Sequence, residues 1–203
     1  MRYLPIAIDS KDKLVTILGG GESSLIKTRT FLRGLFTIRV VALDFLEDFY
    51  TLEKTYPKLS LIKKEIIDDF SSLKADYLVL ASADVNLHTR ILAWARPLKI
   101  PVLDTIDPKR SDFILNKIIE KDRISLSIST DGRGPFLAKY LAGEFEKSLK
   151  TLDFEKIELL LDLRSLLKKK NMDIKAHMET VLAKSKDELE EYIKDLTDDK
   201  DRN

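Results

Sequence analysis

Over roughly the first 130 residues, short apolar runs alternate with stretches whose apolar positions recur at helical spacing. The runs Leu14–Leu18, Ile38–Leu43, Leu59–Ile62, Tyr77–Ala81 and Val102–Asp104 predict strands buried on both faces. Between them, Ser23–Arg33, Leu46–Tyr56 and Asn86–Ala95 predict helices, and Asp68–Leu73 predicts a single helical turn. Pro97 and Pro101 punctuate the last helix-to-strand connection. Strands alternating with helices in this way predict a parallel sheet with helices on both faces, an α/β fold.

The pattern then changes. Ile124–Ser129 alternates apolar and small polar residues, as a half-buried strand does. Asp131-Gly132-Arg133-Gly134-Pro135 predicts a turn, and Pro135 suits a first helical position. Phe136, Leu137, Tyr140, Leu141 and Phe145 continue a helical stripe from there. Further on, Ile157–Lys169 and Lys175–Leu196 each predict one helix, and 197–203 is polar enough to fray. Leu159–Leu167 is densely apolar and is followed by Lys168, Lys169 and Lys170. That predicts a helix packed on protein, with its lysines at the C-terminal end of the dipole, rather than a membrane-surface helix. The chain so divides into a sheet-and-helix domain over 1–110, a small strand-plus-helix region over 111–150 and a helical part over 151–203.

Composition narrows the chemistry. The chain has 203 residues, 34% of them charged, yet 35 Lys and Arg against 34 Asp and Glu leave a formal net charge of only +1. Such a balance argues against a general binder of nucleic acid or anionic membrane. With no cysteine there is no disulfide, thiolate metal site or cysteine nucleophile, and two isolated histidines make no metal cluster. No apolar run is long enough to span a membrane, and the opening MRYLPIAIDSKDK is interrupted by Asp9 and Lys11, unlike a signal peptide. A cytoplasmic protein is expected.

The join between the first strand and helix reads Gly19-Gly20-Gly21-Glu22-Ser23-Ser24. Glycines let a backbone approach a pyrophosphate, and the following helix aims its free N–H groups at the anion. Gly19, Gly21 and Ser24 occupy the three positions of a G-x-G-x-x-G/A turn, with Ser24 small but not the usual Gly or Ala. Asp44 follows the second strand at about the ~20-residue distance of the acid that holds a ribose hydroxyl, which favours NAD over its 2′-phosphorylated form.

The segments 3-YLPIAIDSKDKLVTILGGGESSLIKTR-29, 77-YLVLASAD-84, 107-DPKRSDFI-114 and 126-LSISTDGRGPFLAKYLAGEFE-146 together resemble the precorrin-2 dehydrogenase / sirohydrochlorin ferrochelatase family. The resemblance implies a Rossmann-type NAD-binding domain, a central dimerisation region within 111–150, a C-terminal helical part and a homodimer. It implies NAD-dependent oxidation of precorrin-2 to sirohydrochlorin, and some members also insert Fe(II). Ser82 and Ala83 join the glycine turn as implied cofactor contacts. Precorrin-2 carries many carboxylates, so Lys109, Arg110, Arg133, Gly134 and Lys139 are candidates for binding it.

One departure bears on mechanism. Members of the family carry a critical Asp just after the fifth strand, and aligning Asp107-Pro108 with their pattern puts Ile106 there. Asp104 and Asp107 flank it and are the catalytic candidates. Three readings follow: an active dehydrogenase that uses Asp104 or Asp107, a catalytically silent relative that binds NAD or a tetrapyrrole as partner or carrier, and an unrelated NAD-binding regulator, which the ordered run of matching segments disfavours. His88 stands where the family often has Asn and reads as an ordinary helix-surface residue, and His177 reads as solvent-facing.

Overall fold

The computed structural model describes residues 2–66, 70–132 and 134–198. Arg133, and residues 68 and 69 of the anticipated helical turn, lie outside them. Five strands, β1 (Leu14–Leu18), β2 (Thr37–Ala42), β3 (Leu59–Lys63), β4 (Tyr77–Leu80) and β5 (Val102–Asp104), form one parallel sheet in the order β3-β2-β1-β4-β5. Helices α1 (Glu22–Phe31), α2 (Glu47–Thr55) and α3 (Val85–Ala95) make the β1–β2, β2–β3 and β4–β5 crossovers. The chain winds outward from β1 in both directions, so β1 and β4 flank the point where strand order reverses. In such sheets ligands bind beyond the carboxyl ends of the strands at this point.

Strand alternation builds two cores. Val15, Ile17, Ile38, Val40, Val79 and Leu103 pack on one face against Leu25 and Phe31 of α1 and Phe49 of α2. Leu18, Val41, Leu78, Leu80 and Val102 pack on the other against Leu87, Ile91 and Ala95 of α3. The α/β class and all five strands agree with the sequence pattern.

By its internal contacts the chain separates into two compact units, residues 1–118 with 127–140, and residues 119–126 with 141–203. Lys117–Lys121 (β6) is a strand that the apolar pattern had not marked, and it pairs with β7 (Ile124–Ile128) in a separate two-stranded sheet. Asp122, at φ 53°, makes the turn between them. Helix α4 (Pro135–Leu149) follows. In the second unit α5 (Phe154–Lys169) packs on α6 (Ile174–Val181) and α7 (Lys186–Asp198) around Leu163, Leu167, Val181 and Leu189.

The helix expected over Lys175–Leu196 is therefore two. Ser185 breaks it: its hydroxyl accepts from the Glu188 N–H at 3.3 Å while Glu188 Oε2 accepts from the Ser185 N–H at 2.7 Å. This reciprocal pair starts a new helix. His177 is half-buried rather than solvent-facing, with Nδ1 2.5 Å from the Tyr192 hydroxyl. No helix among the described residues is long and apolar enough to cross a membrane.

Candidate functional site

The glycine turn lies at the carboxyl end of β1, pressed between its neighbours. Gly19 has φ 126°, and a Cβ there would stand 2.6 Å from the Ala81 carbonyl oxygen. A Cβ on Gly20 would stand 1.8 Å from the Asp44 carbonyl oxygen. Both positions exclude a side chain. Gly21 differs: a Cβ would meet nothing within 4 Å. Gly21 is also the N-cap of α1, and no side chain caps that terminus. The first-turn N–H groups at Glu22, Ser23 and Ser24 thus have no intrahelical partner, and the space beside Gly21 is clear of protein. An anionic group fits there on both shape and dipole. Ser24 is fully buried with its hydroxyl unpaired.

Asp44 stands two residues past β2, its side chain 81% exposed and 3.3 Å from Lys63 Nζ. Hydrogen bonds from Lys63 and the Phe45 amide, with the Lys63 charge, hold its carboxyl below the usual range against a small opposing desolvation. Ser82 and Ala83 follow β4 beside the glycine turn, Ser82 half-buried and Ala83 exposed.

Asp104 ends β5 and is 1% exposed. Its Oδ1 accepts from the amides of Ile106 at 3.0 Å and Asp107 at 3.3 Å, and lies 2.9 Å from His88 Nδ1. Its Oδ2 forms an ion pair with Arg110 at 2.6 Å. Burial pushes this carboxyl up, but the His88 hydrogen bond, the two amides and the His88 charge together hold it below its ordinary value. Asp107 is more open, with its side chain 44% exposed. Its Oδ1 caps the 3-10 turn Pro108–Arg110 through the Lys109 N–H at 3.0 Å, and its Oδ2 lies 3.7 Å from Arg110 Nε. Ile106 is exposed beside it.

His88 is a correction. It is fully buried on α3 and hydrogen-bonds Asp104 on one side and Ser82 on the other. The signal was present: His88, Ile91, Leu92 and Ala95 share the helix face that covers the sheet. The role of Tyr3 was also missed. Its hydroxyl donates to the Pro108 carbonyl at 2.8 Å, and its N–H donates to Asp131 at 3.3 Å, tying the loop after β5 to the turn before α4. In that turn the Gly134 N–H donates to Thr130 Oγ1 at 3.2 Å. Lys109 and Lys139 are exposed. The structure thus gathers Ser82, Asp104, Asp107 and Arg110 at one sheet edge with the glycine turn. Among the described residues no group of three or more His, Asp or Glu side chains converges as a metal site.

Residues 6–117 match the family described as "Putative NAD(P)-binding". A siroheme synthase of Pectobacterium atrosepticum is 34% identical over 152 residues, 73% of this chain and 32% of that protein. A siroheme synthase of Buchnera aphidicola is 29% identical over 192 residues, 92% of this chain and 37% of that protein. The chain thus spans about a third of the length of these curated relatives. A solved structure named SirC, precorrin-2 dehydrogenase, superposes with a TM-score of 0.73 over 96% of this chain and 99% of its own, at 19% identity, a likeness of fold.

Proposed function

This chain belongs to the NAD(P)-binding family, and from that premise we propose that it is an NAD-dependent dehydrogenase of tetrapyrrole biosynthesis, oxidising precorrin-2 to sirohydrochlorin. One observation carries the reading. A glycine turn open to an anion and a charged loop flanking Ile106 meet at one sheet edge, joined through Ser82, His88 and Asp104. The names of the curated relatives and of the similar structure support the substrate class.

In this reading Gly19, Gly20, Gly21 and the first turn of α1 hold the pyrophosphate, and Asp44 holds the adenosine ribose. The nicotinamide, when bound, supplies the hydride acceptor. Asp107 is the carboxylate open to substrate. Asp104 is enclosed by four partners and acts through them. Lys109, Arg110, Lys139 and, by resemblance, Arg133 and Gly134 receive the carboxylates of the tetrapyrrole. The three-part division at 110 and 150 and a homodimer belong to the same proposal. Iron insertion, with Fe(II) as substrate, would be a second activity. Ile106 offers no oxygen to it, so the dehydrogenase is the half that the geometry supports.

The competing reading, a silent binder of NAD or tetrapyrrole, also has an observation behind it: the exposed Ile106 where the resemblance expects a carboxylate. Anaerobic incubation of the purified chain with precorrin-2 and NAD separates the two. Under the dehydrogenase reading NADH and sirohydrochlorin appear together, and Asp107→Ala, which removes a carboxylate open to substrate, slows them. NAD binding without product would establish the silent binder instead.

A further inference from the structure

Three side chains from three segments form a line that starts beside the cofactor turn and ends inside the sheet edge. Ser82 Oγ is 3.0 Å from His88 Nε2, and His88 Nδ1 is 2.9 Å from Asp104 Oδ1. The two inner members are sealed, His88 at 0% and Asp104 at 1% exposure. Only Ser82, half-buried, reaches the outside. It does so against the glycine turn, since a Cβ on Gly19 would lie 3.0 Å from the Ser82 nitrogen.

Protonation gives the line a direction. Asp104 is an anion at neutral pH, held so by the contacts that outweigh its burial. An ionised carboxylate only accepts, so His88 donates to it through Nδ1. With that single ring proton Nε2 is bare, and the Ser82 hydroxyl donates to it. The remaining lone pairs of the Ser82 oxygen are free to take a hydrogen from outside. The other charges along the line are Arg110, 2.6 Å from Asp104 Oδ2, and Asp107, 3.7 Å from Arg110 Nε. Arg110 Nη1 also donates to Thr89 Oγ1 at 3.0 Å, which steadies the guanidinium over Asp104.

We propose that Ser82, His88 and Asp104 form a proton relay serving the oxidation, in place of the carboxylate that Ile106 does not supply. The inference rests on the dehydrogenase reading above. As the substrate gives a hydride to the nicotinamide of NAD, it gives a proton to Ser82 Oγ, and the serine's own proton passes to His88 Nε2. The substrate has lost one hydride and one proton, NAD is reduced to NADH, and the imidazolium formed is neutralised by Asp104. The proton returns to water along the same path once product leaves. Ser82 is the group that touches substrate, and His88 and Asp104 are positioning residues behind it. A buried histidine that only fills space between two hydrogen bonds would need no such open end.

Two measurements test this on the full chain. The first is anaerobic turnover of precorrin-2 with NAD across a pH series, for wild type, His88→Gln and Ser82→Ala, with NAD affinity and melting temperature measured beside it. Wild-type kcat should show an acid limb across this series. His88→Gln should lose about 10²-fold in kcat and lose that acid limb, while still binding NAD. A His88→Gln enzyme with the wild-type rate, or a slower one with the wild-type pH profile, overturns the relay and leaves the dehydrogenase standing. A wild type that binds NAD but never turns over sinks both. The second is ¹⁵N NMR of the imidazoles. The chain has two histidines, so the His88 signal is the one missing from His88→Gln. An Nδ1–H tautomer at neutral pH is expected, and an Nε2–H tautomer refutes the relay whatever the turnover shows.

Discussion

In the proposed reading, Asp44 and Lys63 set the cofactor preference by charge. The carboxylate, 3.3 Å from Lys63 Nζ, would accept from a ribose hydroxyl and repel a 2′-phosphate. Asp44→Ala removes that repulsion and frees Lys63 for a phosphate. The ratio of NADP to NAD affinity should move toward NADP by about tenfold, close to one charge-assisted hydrogen bond of about 1.5 kcal/mol. Calorimetric titration with both nucleotides checks it, and an equal loss for both would show that Asp44 does not choose. At Asp104 the depressed carboxyl makes stability depend on pH in a definite sense. Its contribution is whole above the unfolded value of about 3.9 and is lost as pH falls through the lower folded value. Asp104→Asn should destabilise the protein at neutral pH by about 3 kcal/mol, because His88 and Arg110 lose a buried partner. Its denaturant midpoint should then fall less steeply with acid than the wild type's. The glycine turn between β1 and α1 was legible because its signal is local. A lone histidine is uninformative by residue type, and it is the place of His88 on the buried stripe of α3 that marks it.

Strands were the most legible elements. A parallel strand buried on both faces is a continuous apolar run, and LVTIL and YLVL admit little else. KIIEK failed the same test because charged ends and an apolar pair show neither alternation nor a full run. Its strand is made by the hairpin with β7, a nonlocal term that periodicity does not carry. The break between α6 and α7 was legible and overlooked. Ser185-Lys186-Asp187-Glu188 is an S-x-x-E capping sequence, and the apolar stripe of α7 concealed it. Ser185→Ala should cost about 1 kcal/mol, the usual worth of an N-cap. Thermal or urea unfolding read by circular dichroism measures it, and an unchanged midpoint would mean that packing of Leu189 against α5 fixes the helix start unaided. Gly20→Ala belongs to the same scale, because its Cβ would run into the Asp44 carbonyl, which is backbone and cannot rotate away. That variant should lose NAD binding together with stability, whereas Gly21→Ala, facing open space, should lose binding and keep its melting temperature.

Among the described residues, one side of α4 is apolar and exposed. On α4 the small residues Ala138 and Ala142 are buried, while Phe136, Leu137 and Tyr140 on the other side of the helix are 85%, 50% and 59% exposed. Aromatic residues grouped in this way mark an association surface more often than a solvated one. The homodimer in the proposed function supplies a covering partner, and a standard interface needs about 800 Å² from each chain. Light scattering on a sizing column should therefore give twice the chain mass at micromolar concentration. Phe136→Glu combined with Tyr140→Glu places four like charges across a two-fold contact and should give the single-chain mass. NAD affinity should survive, because the glycine turn is built by β1, α1 and β4 and not by α4. A single-chain mass for the wild type would remove the dimer from the proposal. A dimer that survives the double substitution would move the interface away from Phe136 and Tyr140.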